Sequence, residues 1–348
     1  MAQRITLAQG AGGEAMRQLI DGWLSNLFDV SRGEVSLAAM DDSAIIDGIV
    51  FTTDSYTVDP LFFPGGDVGV LAVSGTINDL VVMGAQPLAL ASAMVLEEGF
   101  PLSDLDRIIH SMGETARRAK TPIVTGDTKV VERGGVRGCV ITTSGIGKRS
   151  PYLDGNIREV RRARSFKNRW LTDSCLREGD VILVSGTVGD HGVALLSFRE
   201  GYGFESTVQS DVAPLGGIID KALQVGGIVA MKDPTRGGLA NTLNEFAQKS
   251  GVGMEIDEES IPIRDDVRAA CEMLGLDPLE IGNEGKVVLG VVPPKAEEVL
   301  CALHKTDEGK NAAIIGRATK GNRVLMRTSV GGERVIETPV RDPVPRIC

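Results

Sequence analysis

This chain of 348 residues lacks the short signatures that most directly identify a nucleotide-binding protein. It has no Gly-x-x-x-x-Gly-Lys-Ser/Thr loop, since GIGKRS carries arginine where the hydroxyl that binds Mg²⁺ would stand. It also has no strand-linked Gly-x-Gly-x-x-Gly. The sequence therefore disfavours both a P-loop site and a Rossmann dinucleotide site.

A positive surface, a membrane segment and paired cysteines are missing as well. The formal charge of −10 disfavours a nucleic-acid binder that relies on a general positive field. The opening MAQRITLAQGAGGEAM has no signal-like apolar core, and no apolar run reaches the roughly 18–20 residues of a membrane helix. The five cysteines form no Cys-x-x-Cys pair and are odd in number, which favours reduced thiols. We expect a cytoplasmic protein without nucleic-acid or membrane partners.

Glycine is abundant, at 43 residues, and the chain length favours two domains. Residues 1–150 alternate predicted strands and helices and form a first domain. Residues 151–178 are basic and weakly periodic, which we interpret as a solvated linker or insertion. Residues 179–330 form a second, α/β domain, and residues 331–348 form a C-terminal tail. The expected fold class is α+β, with a cleft between the two domains.

The first domain carries local signals for individual elements. Asp47–Gly48 lies between two β-rich runs and is a strong hairpin dipeptide. A helix is predicted over GDVGVLAVSGTINDLVVMG, with Gly84 as its C-terminal cap. A second helix is predicted over SDLDRIIHSMGETARRAK, and Ser103 with Asp106 would form a capping box at its start.

Four short acidic motifs stand out in this domain, most of them beside glycine. They contain Asp54 in FTTDS, Asp67 in FPGGDVG, Asp79 in GTINDL, and Asp127 with Lys129 in VTGDTK. One such aspartate alone is more simply a turn or cap residue. Four in one domain favour a site where carboxylates hold Mg²⁺ ions that bridge a polyphosphate, because Mg²⁺ prefers carboxylate and phosphate oxygens. Lys129 would then reach a phosphate oxygen directly.

Two glycine pairs precede predicted helices, where free N–H groups and the helix dipole favour an anion. They are Gly12–Gly13 in AQGAGGEAM and Gly237–Gly238 in KDPTRGGLANTL. Arg236, beside the second pair, suits bidentate contact with phosphate, and Asp233 is a further candidate metal ligand. Each segment alone is a weak signal, because paired glycines before a helix are frequent.

Other reactive side chains leave alternatives open. Glu284 and Lys286 in GNEGK would pair with each other if they share one face of a strand. His191 in GDHG suits a local turn as well as proton transfer. Three cysteines follow strand or helix patterns and are expected to be small buried side chains, namely Cys139, Cys271 and Cys301.

Cys348 differs from these because it ends the segment RDPVPRIC. Chain ends are commonly frayed and weakly constrained, which is one interpretation. The other is a reactive thiol on a movable tether. Pro339, Pro343 and Pro345 favour an extended segment, and eight extended residues would carry the thiol more than about 20 Å.

Together these motifs make the chain resemble the HypE family, the carbamoyl dehydratases of NiFe-hydrogenase maturation. The resemblance extends to the superfamily of aminoimidazole ribonucleotide synthetase and selenophosphate synthetase. It implies an N-terminal α+β domain that binds ATP with Mg²⁺ and forms a homodimer through its sheet, plus a C-terminal α/β domain. The matching segments run nearly end to end: GAGG, TDSYTVDPLFFPGGDVG, GTINDL, IVTGDTKVV, VSGTVGDHG, DPTRGGL, CEMLGLDPL, NEGK and PRIC.

The resemblance also implies a reaction. A carbamoyl group would pass from HypF to Cys348, ATP would phosphorylate its oxygen, and loss of phosphate would leave a protein thiocyanate. The cyanide would then pass to iron on a HypC–HypD complex. The implied catalytic residues are Cys348, Glu284 as the base, and Lys129 and Asp79 beside the phosphates; the implied nucleotide contacts are Gly12, Gly13, Asp54, Asp67, Asp127, Lys129, Asp233, Arg236, Gly237 and Gly238, and the implied metal ligands are Asp54, Asp79 and Asp127.

Two segments depart from the family pattern. Gln9 stands where the family's glycine loop usually begins with histidine, and the basic stretch Arg158–Trp170 looks longer than usual. Two other functions are alternatives: a small-molecule synthetase or kinase of the same fold, and a carrier that uses nucleotide only as a switch. Selenophosphate synthetase carries a reactive cysteine or selenocysteine near its N-terminus, whereas this chain has no cysteine before Cys139.

Overall fold

The structure is a computed structural model that describes residues 4–10, 13–24, 26–199, 207–340 and 343–348. Within the described residues, the N-terminal part holds three α-helices and seven strands. The helices are α1 (Glu14–Leu24), α2 (Val68–Val82) and α3 (Leu102–Arg118). The strands are β1 (Ala44–Ile46), β2 (Ile49–Tyr56), β3 (Phe62–Phe63), β4 (Gly66–Asp67), β5 (Ala85–Glu97), β6 (Ile123–Val131) and β7 (Cys139–Arg149).

Five of these strands form one sheet in the order β1-β2-β7-β5-β6, while β3 and β4 form a separate two-stranded ribbon. The predicted hairpin is confirmed, because β1 and β2 pair with Ile46 opposite Ile49. Its turn residues Asp47 and Gly48 both have positive φ, at 52° and 76°, as a type I′ turn requires. The hairpin therefore fixes where β2 begins, and β2 carries Asp54 toward the core.

Helix α2 lies across the inner face of this sheet. Almost every residue of α2 is buried, so the helix is apolar on all sides rather than amphipathic. It ends as predicted, since Gly84 adopts φ +78° directly after the capping residue Met83. By contrast, the predicted capping box of α3 is wrong: the helix begins one residue earlier, with Pro101 at its N-cap and no side-chain cap.

The described residues of the C-terminal part form six α-helices and a sheet of seven strands in the order β14-β13-β10-β12-β8-β11-β9. The helices are α4 (Leu153–Ala163), α5 (Asp190–Phe198), α6 (Gly216–Val225), α7 (Gly238–Ser250), α8 (Asp265–Leu274) and α9 (Ala296–Leu303). The strands are β8 (Val181–Val184), β9 (Ile228–Lys232), β10 (Gly253–Asp257), β11 (Val288–Val291), β12 (Ala313–Thr319), β13 (Val324–Arg327) and β14 (Glu333–Val335).

The segment between the two parts is not a solvated connector, which corrects our interpretation of residues 151–178. Residues 153–163 form the amphipathic helix α4, whose apolar side packs on α6 and β9. After the helix, Trp170 and Leu171 are also buried. The many arginines obscured this pattern, because they occupy the exposed face of the helix. Cys301 corrects another expectation, since its side chain is exposed on α9.

One continuous apolar core joins the two parts. Helix α2 packs on its own sheet and also contacts α6 and β9 of the C-terminal part. The polar ends of α2, β2 and β9 meet at the edge of this core, where a cavity opens. No helix within the described residues is long and apolar enough to cross a membrane.

Candidate active site

A cavity of about 530 Å³ lies between the two parts of the chain. Its wall is unusually acidic for a partly enclosed space. The acidic side chains that line it come from both parts: Asp21, Asp41, Asp42, Asp54, Asp79, Asp233, Glu245 and Glu284. Four basic side chains also line it, namely Arg17, Lys232, Arg236 and Lys249.

Three of these carboxylates converge on one point. Asp42, Asp79 and Asp233 each offer an oxygen atom, and these atoms lie within 4.8 Å of one another. Asp79 is on α2, where the Thr52 hydroxyl donates to its Oδ2 at 2.8 Å. Asp233 follows Lys232, the last residue of β9. Hard carboxylate oxygens at this spacing are able to bind Mg²⁺.

Sequence reasoning missed Asp42, although it nominated Asp79 and Asp233. Asp42 lies in MDDSAI, before β1, and neither glycine nor a recognisable turn pattern accompanies it. Its Oδ1 pairs with the ammonium of Lys232, whereas its buried Oδ2 has no hydrogen-bond partner among the described residues. A buried carboxylate oxygen without a partner costs free energy, so this atom is suited to a cation.

Burial raises the pKa of all three convergent carboxyls. Desolvation is the main cause for Asp42 and Asp79, whose pKa values lie well above the usual range, and neighbouring carboxylates add to it. Desolvation also raises the pKa of Asp233 to about 6, against the opposing attraction of Lys232. Since like charges this close repel one another, a bound cation would stabilise the ionised form of the cluster.

Lys232 and Lys249 form a buried charge network behind this cluster. The Lys232 ammonium lies 3.3 Å from Asp173 Oδ2 and 3.2 Å from Glu245 Oε2. Lys249 contacts the same Asp173 oxygen at 2.8 Å. Asp173 lies in the segment that the sequence presented as a linker, so this part of the network was also missed. The two cations partly offset the charge of the acidic wall.

Glu284 lies deeper in the cavity wall and is 2% exposed. Desolvation, followed by the charges of Asp233 and Asp211, raises its pKa well above the usual range. Its Oε1 has no hydrogen-bond partner among the described residues. The predicted pairing with Lys286 is not formed, because the Lys286 ammonium contacts Asp211 Oδ2 at 3.0 Å. Glu284 therefore lines the cavity with a carboxyl oxygen that has no partner among the described residues, and it is able to act as a base once it is ionised.

Cys348 is the last residue of the sequence, and it also lines the cavity. The Thr57 backbone N–H and hydroxyl donate to its carbonyl oxygen at 3.2 and 3.3 Å. Ile347 is buried beside it, so residues 343–348 are docked rather than frayed. The negative charge of Cys348 is the largest cause of the raised pKa of Arg236. The thiol-bearing residue, Arg236 and Glu284 thus share one cavity.

The glycine segments lie where the chain approaches itself closely. A Cβ atom on Gly13 would lie 2.2 Å from the Pro339 carbonyl oxygen, and Gly13 lines the cavity. Gly237 caps α7 with φ +75°, and a Cβ on Gly238 would lie 2.5 Å from the Ile281 carbonyl oxygen. Gly12 lies outside the described residues. Arg236, Asn241 and Thr242 at the start of α7 line the cavity, whereas Gly237 and Gly238 are not among the described residues that do.

Asp67, a predicted nucleotide contact, lies elsewhere in this chain. The Asp67 carboxylate caps α2, since its Oδ1 accepts from the backbone N–H groups of Gly69 and Val70 at 2.8 and 3.0 Å. The Ser111 hydroxyl donates to the same atom at 2.7 Å. Asp67 is not among the described residues that line the cavity. This corrects its assignment as a nucleotide contact within one chain, because its Oδ1 already accepts three hydrogen bonds beside the start of α2.

Asp127 and Lys129 lie on the exposed edge strand β6. Asp127 pairs with Ala93 and Lys129 with Val95, which places both on the face of the sheet opposite α2. Asp54 lies on the inner face, in the cavity wall. The structure therefore brings Asp54 and Asp79 to one cavity but does not bring Asp127 to them within a single chain.

Comparison with known proteins adds to this geometry. Two domain models of AIR synthase related proteins match the chain, the N-terminal one over residues 40–148 and the C-terminal one over residues 177–327. The carbamoyl dehydratase HypE of Rhizobium leguminosarum bv. viciae is 47% identical over 99% of this chain and 95% of its own. The chain belongs to the HypE family.

Solved structures of HypE are similar to this fold over almost their whole length. A HypE–HypF complex matches with a TM-score of 0.83 and 43% identity, over 92% of this chain and 99% of that one. HypE in complex with ATP matches with a TM-score of 0.79 and 39% identity, over 99% of this chain and 100% of that one. The two-domain α+β fold expected from the family resemblance is thereby confirmed.

Proposed function

We propose that this HypE-family chain is an ATP-dependent carbamoyl dehydratase that carries its substrate on Cys348. The carbamoyl group would be bound to the thiol as an S-carboxamide. Its oxygen would attack the γ-phosphorus of ATP, releasing ADP. Cleavage of the C–O bond would then release phosphate, and with both amide protons lost a thiocyanate would remain on sulfur. The product would supply cyanide to the iron of NiFe-hydrogenase.

The docked position of Cys348 carries this proposal. Cys348 lines the same cavity as Glu284 and Arg236, so a group on its sulfur would lie beside a possible base and a possible phosphate ligand. A carboxyl group with a raised pKa becomes a stronger base once it is ionised. We assign Glu284 to accept an amide proton, and Arg236 with the N-terminus of α7 to bind the phosphate charge.

The acidic cluster fits Mg²⁺. Asp42, Asp79 and Asp233 would hold it, with Asp54 in the same wall as a further ligand. The unpartnered Oδ2 of Asp42 supports this assignment from the structure itself. When bound, Mg²⁺ offsets the negative charge of the triphosphate during phosphoryl transfer.

We also propose a homodimer that forms through the outer face of the five-stranded sheet. Ile49, Phe51 and Ile146 are 55%, 47% and 41% exposed on this face, and β6 presents an unpaired edge. Asp127 and Lys129 share the face. Asp127 and Lys129 would therefore lie beside the phosphates only in a dimer, in which this interface would place them near the cavity of the second chain.

The proposed partners follow from the reaction and from relatives. A HypE–HypF complex among the similar structures supports HypF as the carbamoyl donor. We propose a HypC–HypD complex as the acceptor of the cyanide. The proposed compartment is the cytoplasm, since no disulfide joins the cysteines of the described chain.

Intact-protein mass spectrometry after carbamoylation by HypF tests the reaction. We expect the mass to fall by one water only when MgATP is present. Cys348→Ala should accept no carbamoyl group, whereas Cys301→Ala, at an exposed position on α9, should react like the wild type. A carbamoylated chain whose mass stays unchanged with MgATP would contradict the proposal and favour a carrier that uses nucleotide only as a switch.

A further inference from the structure

His191 is buried at the start of α5, and both of its ring nitrogens have partners. Nε2 lies 2.8 Å from the carbonyl oxygen of Ile347, and Nδ1 lies 2.7 Å from the Ser210 hydroxyl. A carbonyl oxygen only accepts, so Nε2 must carry the proton. Burial is the main cause that lowers the pKa of His191, which favours a neutral ring with Nδ1 as an acceptor.

Ser210 fixes the tautomer of His191 from the side of the ring opposite Ile347. Its hydroxyl oxygen accepts from the Val212 backbone N–H at 3.1 Å, so its own proton is available for Nδ1 of His191. The Phe63 ring packs edge-on against the imidazole, with 5.4 Å between the ring centroids. The orientation and the tautomer of His191 are therefore set before the tail arrives.

Three successive residues of the tail each present a main-chain oxygen to a donor on the body of the protein. Arg199 Nη2 donates to the Arg346 carbonyl at 3.0 Å, His191 donates to that of Ile347, and Thr57 donates to that of Cys348. Such contacts depend on the path of the backbone and not on the side chains. They would therefore bind the tail in the same way before and after Cys348 is modified.

The side chain of Ile347 lies in a pocket that glycine keeps open. A Cβ atom on Gly282 would lie 3.0 Å from Ile347 Cδ1, and one on Gly192 would lie 3.3 Å from it. Gly192 directly follows His191, so the same turn of α5 supplies the hydrogen bond and the space. Ile347 is the residue next to the reactive cysteine. The insertion of its side chain into this pocket therefore determines the position of the Cys348 thiol.

We propose that His191 is a positioning residue that holds the Ile347 carbonyl and thereby keeps Cys348 in the cavity. The proposal deepens the proposed dehydratase function, on which its catalytic consequence rests. His191 does not line the cavity among the described residues and has no assigned part in the chemistry. Its loss should make the thiol more accessible from outside while slowing the step inside the cavity.

Alkylation of Cys348 by iodoacetamide measures the first effect without any catalytic assay. Cys301 is exposed and provides the reference rate in the same molecule, while buried Cys139 reports loss of the fold. We expect His191→Phe to raise the rate at Cys348 relative to Cys301 by about tenfold, because it removes the donor to Ile347 but keeps a ring. His191→Gln, whose amide is able to donate, should restore part of the protection.

Two further variants keep the test decisive. Ser210→Ala removes the group that fixes the tautomer and should raise Cys348 alkylation by about threefold. Val193→Ala truncates another buried residue of α5, and it should lower the melting temperature without changing the alkylation ratio. Alkylation of Cys139 in His191→Phe would show that this variant has lost its fold, and the test would then rest on Ser210→Ala. The proposal would be overturned if Cys348 in a folded His191→Phe variant were alkylated at the wild-type rate. If that variant does not fold, the same result in Ser210→Ala would overturn it.

The catalytic consequence is measured separately. With HypF as donor, His191→Phe should accept the carbamoyl group at least as fast as the wild type but lose water about tenfold more slowly with MgATP. An equal decrease in the rates of carbamoyl acceptance and water loss would indicate that His191 has only a structural role, and it would contradict a positioning role. If the wild type itself loses no water, the proposed dehydratase function is contradicted. The alkylation ratios would still test the role of His191 independently.

Discussion

Thr57 donates its backbone N–H and its hydroxyl to one oxygen of Cys348, at 3.2 and 3.3 Å. Thr57 directly follows β2, the strand that carries Asp54 into the same cavity. The end of the chain and the acidic wall are therefore positioned by one segment. A shift of β2 would move both together, which preserves the distance between the carried substrate and the metal ligands.

Replacing Glu284 by glutamine should slow the loss of water by about 10²–10⁴-fold, the usual range for removal of a general base. The amide has nearly the same shape, so ATP binding should persist. Glu280→Gln, on the neighbouring 3₁₀ turn and outside the cavity, is the matched control. Single-turnover water loss by mass spectrometry gives the rates, and an unchanged rate in Glu284→Gln would assign the proton to another base.

The same variant should change stability in a direction that depends on pH. Burial raises the pKa of Glu284, so its contribution to folding is fully present below the unfolded pKa and is lost as pH rises through the folded pKa. Glutamine does not ionise. We therefore expect Glu284→Gln to gain stability relative to the wild type as pH rises from 5 to 8, measured by urea unfolding without Mg²⁺. A relative loss over this range would contradict the raised pKa.

Mg²⁺ binding should strengthen as pH rises through about 6, because the pKa of Asp233 is raised to about 6 and the metal competes with its proton. Calorimetry in two buffers of different ionisation enthalpy should show proton release at pH 5.5 and less at pH 7.5. Asp42→Asn should weaken binding, whereas Asp307→Asn, at an exposed position near α9, should not. Equal affinity at both pH values would exclude the acidic cluster as the metal site.

Asp67 offers a test between a cap and a phosphate contact. Asp67→Ala should lower the free energy of unfolding by about 0.5–2 kcal/mol, since it removes the N-cap of α2. Asp67→Asn keeps an oxygen acceptor and should lose less. Both variants should bind MgATP like the wild type. Weaker ATP binding by a fully stable Asp67→Asn would instead support the nucleotide role predicted from sequence.

The proposed dimer can be tested on its exposed apolar face. Phe51→Glu places a charge among Ile49 and Ile146 and should shift the protein toward monomers, because burying an unpaired charge is unfavourable. Phe28→Glu is the matched control, since Phe28 is 94% exposed but lies outside the sheet. Sedimentation velocity measures both. A monomeric wild type, or an unaffected Phe51→Glu dimer, would contradict an interface on this face.

Sequence patterns predicted a large part of the fold because the relevant signals are local. Asp47–Gly48 specifies its turn through positive φ angles, and the apolar run of α2 specifies a buried helix whatever lies around it. Helix α4 was missed for the opposite reason. Its four buried positions, Leu153, Asn156, Ile157 and Val160, lie among charged residues that include three arginines, and only their packing on α6 shows which face is internal.

The sequence by itself determined the chemistry that is present: clustered aspartates, paired glycines before helices, and a cysteine at the end of a proline-rich tail. Only the tertiary structure decided which of these groups meet. In the structure Asp42 lies beside Asp79 and Asp233, and Asp67 caps a helix. Asp127 lies on the outer face of the sheet. Cys348 is docked beside Thr57. The reason is physical: residue type fixes what a group can bind, but distance and burial arise from contacts between segments far apart in the chain.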